Sequence, residues 1–161
     1  MNDEKKSKKI ISFILVGIGL IFVILGIVLV PQKKTIVCTN NTVDADGYKR
    51  NSKYEILYNS EKILKIKQTE IVELDPSTLN LALTYGNAFA KEANQFNGVS
   101  CQYSKEKDNQ LKLIMEVDYQ KLDQKQLKKA DESSTKTTFD FSKEYTINQF
   151  QKEILKGYTC K

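Results

Sequence analysis

The chain has 161 residues and a formal net charge of +5, with no His, no Trp and Arg50 as its only arginine among 25 basic residues. That composition leaves little room for histidine bases, histidine-containing metal sites or arginine-lined phosphate pockets, and no metal or cofactor is expected. The positive excess comes from Lys5, Lys6, Lys8, Lys9, Lys33 and Lys34, so residues 35–161 are nearly charge-balanced; basic flanks of this kind suit anionic headgroups, and no nucleic-acid partner is expected.

Residues 1–9 form a lysine-rich tail, followed from Ile10 to Val30 by an apolar run without a charge. At ~1.5 Å per residue a helix over that run reaches ~31 Å, which matches the ~30 Å hydrocarbon core of a bilayer. A single segment can satisfy its backbone polar groups there only as a helix. The run exceeds the ~7–15 residues of a signal-peptide core, and no small-residue cleavage site follows it. Cys38 lies too far beyond Val30 to be a lipidation site. The expectation is an uncleaved transmembrane anchor. Four lysines precede the span and two follow it closely, which puts the N-terminus in the cytoplasm and the rest of the chain outside the cell. Residues 31–34 are a linker in this reading.

Residues 35–161 have the size of one domain. Thr35 to Val43 reads as a first strand. Asp44-Ala45-Asp46-Gly47 is a turn, and it lacks the spacing of a calcium loop. Tyr48 to Tyr58 makes a second strand with Tyr54, Ile56 and Tyr58 on one face, and Asn59-Ser60-Glu61-Lys62 turns the chain into a third from Ile63 to Leu74. These three form an antiparallel meander with a polar outer face. Asp75 caps a helix that has Pro76 at its first position and a stripe at Leu79, Ala82, Leu83, Gly86, Phe89, Ala90, Ala93 and Phe96, spaced to pack on the sheet.

Asn97-Gly98 ends that helix, and Val99 to Lys105 is a fourth strand whose alternation points Cys101 into the core as a buried thiol. Leu111, Leu113, Met115, Val117 and Tyr119 alternate along a fifth, with Lys112, Glu116 and Asp118 on the opposite face. Lys121 to Ala130 is expected as a short helix and Asp131 to Thr138 as a polar loop. Thr146 and Gln149 make a capping box for a last helix with Ile147, Phe150, Ile154 and Leu155 inward, and Tyr158 to Cys160 is expected as an edge strand. The fold class is therefore α+β: a transmembrane helix, then an antiparallel sheet of about five strands in the order β-β-β-α-β-β-α, with helices packed on one face.

Cys38, Cys101 and Cys160 allow one disulfide and one free thiol. Cys38 opens the domain and Cys160 closes it, so Cys38–Cys160 is the leading pairing, with Cys101–Cys160 the alternative. A bridge of that span is worth ~4–5 kcal/mol in the chain-entropy account.

The run FNGVSCQYSKEKDNQLKLIMEVDYQKLD, Phe96 to Asp123, resembles the centre of the YehR-like small bacterial lipoproteins, a domain of unknown function. Its marks are a glycine-valine turn from a helix into a strand and a second strand closing on an acidic-aromatic pair, here Asp118-Tyr119. The closing ILKGYTCK resembles the end of envelope proteins of low-GC Gram-positive bacteria, which also carry a cysteine near the first strand; that resemblance implies Cys38–Cys160. Proteins of the family usually have a lipid-anchoring cysteine where this chain has a helix. The resemblance implies no catalytic residue.

The sequence holds no phosphate loop, nucleophile–base pair or metal cluster. The leading functional expectation is a non-enzymatic envelope module that contacts a protein, peptide or cell-wall component. Strand edges and Tyr48, Tyr54, Tyr58 and Tyr103 are its candidate contacts. One alternative is an envelope hydrolase using scattered carboxylates such as Asp118 with Glu116 or Asp123. The other is a cytoplasm-facing regulatory partner, in which all three cysteines would be free.

Overall fold

The computed structural model describes residues 32–43, 47–122, 125, 128 and 140–161. The expected span Ile10–Val30, the turn residues 44–46, the loop 131–138 and most of the expected short helix 121–130 lie outside the described residues. Among the described residues no helix is long and apolar enough to cross a membrane.

Lys33–Lys161 forms a unit of its own. Its described elements run β1 (Lys33–Val43), β2 (Lys49–Asn59), β3 (Lys62–Glu73), α1 (Pro76–Ala93), β4 (Val99–Lys107), β5 (Gln110–Asp118), α2 (Ile147–Glu153) and β6 (Thr159–Cys160). The six strands form one sheet in the order β4-β5-β3-β2-β1-β6, and every neighbouring pair is antiparallel. The β1-β2-β3 meander matches expectation, and the short edge strand brings the expected five strands to six. β1 starts at Lys33, inside the expected linker, because Lys33 and Lys34 pair with Asn59 and Tyr58 and so continue the ladder.

Local chemistry sets the element ends. The Asp75 side chain accepts hydrogen bonds from the Ser77 and Thr78 amides at 3.1 and 3.0 Å, satisfying donors that a helix start leaves unpaired. α1 stops at Ala93, short of Asn97-Gly98, because Asn94 turns its amide to the backbone of Cys101. Asn94 Nδ2 donates to the Cys101 carbonyl at 3.0 Å, and the Cys101 amide donates to Asn94 Oδ1. Gly98, at φ 88°, turns the chain into β4; a Cβ there would stand 2.7 Å from the Asp118 carbonyl oxygen, so only glycine fits. The Thr146–Gln149 capping box forms as expected.

Register then assembles the core. Cys38, Tyr54, Gln68, Met115 and Cys101 lie side by side across five strands, and all are buried. The next row holds Ile36, Ile56, Ile66, Val117 and Val99. A bulge at Leu57/Tyr58 lets consecutive Ile63 and Leu64 both go inside. Ala90 and Ala93 of α1 and Ile147 and Phe150 of α2 join the same buried cluster, which places both helices on one face, as expected. Phe150 meets Tyr54 and Tyr145 edge-on, with ring centroids 5.7 and 5.3 Å apart. The opposite face carries Glu55, Lys65, Lys67, Thr69 and Glu116, the expected polar side.

Candidate functional site

Two features can carry function: the bridge that closes the domain and a polar cavity at one end of the core face. Cys38 and Cys160 are joined by a disulfide across a sequence separation of 122 residues. They are direct register partners in β1 and β6. The flanking Val37 and Lys161 exchange both backbone hydrogen bonds, at 3.0 and 2.9 Å, so the cysteines occupy the non-hydrogen-bonded position, where facing side chains come closest. Cys101 stays a buried free thiol, as expected, and burial pushes its pKa up to about 11. A thiol so placed is a packing residue, not a nucleophile.

The cavity lies where β2 begins and β3 ends. Arg50, Val72 and Leu111 form one row there, and Ser52, Glu70, Leu113 and Tyr103 the row beside it. Glu70 is 6 % exposed. Its Oε1 accepts from Arg50 Nη1 at 2.8 Å, and its Oε2 accepts from Gln68 Nε2 at 3.0 Å. A carboxylate this buried is tolerable only because both oxygens are bonded. The Arg50 side chain stays 44 % exposed, reaching from solvent to the buried acid. Arg50, Glu70, Val72, Leu74, Tyr103, Leu111 and Leu113 line a half-open space of about 250 Å³. The helix side is shaped by Gly86, where a Cβ would stand 2.5 Å from the Tyr103 ring; Phe89 braces the same ring edge-on at 6.3 Å. Burial, the Cys101 thiol and Glu70 push the Tyr103 hydroxyl up to about 12, so it stays protonated and can donate.

The expected contact tyrosines do not gather into one surface. Tyr54 is fully buried against Phe150 and Tyr158. Tyr58 is half-buried beside the core, and the Tyr48 hydroxyl donates to Asp75 Oδ2 at 2.9 Å. Only Tyr103 belongs to the cavity. The expected carboxylates are engaged elsewhere: Glu116 pairs with Lys65 at 2.7 Å on the polar face. Asp118 accepts from the Gln120 amide at 3.1 Å and sits 3.7 Å from Lys121. Asp123, Asp44, Asp46, Ile10 and Val30 lie outside the described residues.

Arg50, Gln68 and Glu70 were not singled out by sequence reasoning. The available signal was the lone arginine, together with a polar pair at Gln68 and Glu70 that shares a strand face with Ile66 and Val72.

This six-stranded antiparallel sheet, with the two described helices on one face, is similar in fold to two solved structures, YehR among them. E. coli YehR, solved by NMR, superposes at a TM-score of 0.50 with 17 % identity, covering 81 % of this chain and 91 % of that one. A protein from Streptococcus pneumoniae, also solved by NMR, does so at 0.50 with 14 % identity, covering 81 % and 86 %. No family model matches the chain, and no curated protein matches it.

Proposed function

We propose that the protein is a non-enzymatic envelope module, in which a helix over Ile10–Val30 replaces the lipid of YehR-like lipoproteins. It holds the α+β domain on the outer side of the bilayer, where the domain binds a protein, peptide or cell-wall component. The observation that carries this reading is the Cys38–Cys160 bridge. Structural disulfides persist in oxidising compartments and are reduced in the cytosol, so the bridge supports an address outside the membrane. A binding role draws on the Arg50–Glu70 cavity; in the hydrolase alternative Glu116 would have to give up Lys65, and Asp118 its contacts with Gln120 and Lys121. External protease on intact host cells tests the address. Digestion of the domain before lysis is the expected result; protection until lysis contradicts it and favours the cytoplasm-facing alternative.

A further inference from the structure

We propose that the cavity is a binding site for a small aliphatic carboxylate, its head held by Arg50 and its chain laid along Val72, Leu111 and Leu113; the proposal deepens the binding-module reading and rests on it. Three observations lead there.

The first is the direction of the available hydrogen bonds. Both oxygens of Glu70 are already engaged, one by Arg50 and one by Gln68. Of the five N–H donors of Arg50, the bond to Glu70 uses one, and the side chain remains 44 % exposed. Glu70 is nearly dry and offers a cationic ligand little accessible surface, whereas Arg50 is open to solvent. An anionic one needs only the donors that Arg50 still presents, in the planar fork that suits a carboxylate. Glu70 and Gln68 are positioning residues in this scheme: they hold the guanidinium at the rim and keep the site neutral before the ligand arrives.

The second is the wall. Val72 and Leu111 are half-buried and Leu113 is buried, so a hydrocarbon chain lying on them removes further apolar surface from water. The third is size. At about 250 Å³ the space falls just below the ~300–1,000 Å³ of sites for drug-sized ligands, which suits a short chain with one head group.

The test uses the full chain in zwitterionic nanodiscs, with hexanoate, hexanol and hexylamine as probes, read by NMR at the Arg50 side chain and the Leu111 and Leu113 methyls. Hexanoate is expected to give saturable shifts at all three residues, with hexanol and hexylamine about tenfold weaker or more. Arg50→Lys keeps the charge but loses the fork, and should weaken hexanoate by about tenfold. Arg50→Gln/Glu70→Gln removes both charges, strands no buried acid, and should weaken it by about ten- to a hundredfold. Equal affinity for hexanoate and hexanol, a preference for hexylamine, or no saturable shift in the wild type would overturn the assignment. If hexanoate fails while external protease still digests the domain on cells, only the ligand class falls. If the domain is protected until lysis, the envelope address falls, whatever hexanoate does.

Discussion

Tyr54, Ile56, Ile66 and Val117 are fully buried, with Phe150 of α2 edge-on to Tyr54. A few residues further along the same three strands, the same face presents Arg50, Val72 and Leu111, one charged and two half-buried. The first end is closed by aromatic packing and, through Cys38 in the Tyr54 row, by the disulfide. The second holds an ion pair whose buried member depends on a half-exposed partner. Packing of the first kind is suited to stability. An ion pair of the second kind is often no more stabilising than apolar residues of similar volume. The two ends should therefore differ in what a substitution costs the fold.

Substitutions should divide along that line. Cys38→Ala/Cys160→Ala removes the bridge and should cost about 4–5 kcal/mol in chemical denaturation. A loss below about 1 kcal/mol would mean that the closed end does not depend on it. Phe150→Ala, which empties the site against Tyr54, should cost about 3–5 kcal/mol. At the open end Arg50→Ala should cost about 2–3 kcal/mol, because it strands Glu70 in a nearly dry site, whereas Arg50→Gln/Glu70→Gln should cost under about 1 kcal/mol. Equal losses from the two variants would show that the pair stabilises the fold directly and would blur the contrast between the ends.

The smallest effect belongs to Asp75, which follows Leu74 at the cavity end. Hydrogen bonds from Ser77, then Thr78 and Tyr48, hold its carboxyl well below the usual carboxylate range. A depressed folded pKa contributes stability that is present above the unfolded value and lost as pH falls through the folded one. Melting should therefore steepen its decline with pH below about 4, and Asp75→Asn, which keeps a cap but cannot titrate, should flatten that decline. An unchanged slope would remove Asp75 from the acid response.

Much of the fold was legible in the residues. Strict alternation from Leu111 to Tyr119, the Asp75-Pro76 helix start and the Thr146–Gln149 box each carry a local physical signal, and each appears where expected. The cavity was not legible, because its chemistry depends on register. Arg50 reaches Glu70 only because β2 pairs Arg50 with Val72, two residues along β3 from the acid. β3 also mixes polar and apolar residues on both faces: Gln68 and Glu70 stand with Ile66, while Ile71 stands with Lys67 and Thr69. Its parity was therefore ambiguous until β5 settled beside it. The early end of α1 has the same origin, since Asn94 leaves the helix to bond a strand seven residues on.

The most direct test of the whole account is a thiol count on protein from host cells quenched in acid and then denatured in the presence of an alkylating agent, so that buried Cys101 also reacts. One alkylated cysteine, Cys101, with Cys38 and Cys160 recovered as a linked peptide, is the result the account predicts. Three alkylated cysteines would contradict it, removing both the closure of the domain and the reason to place it outside the membrane.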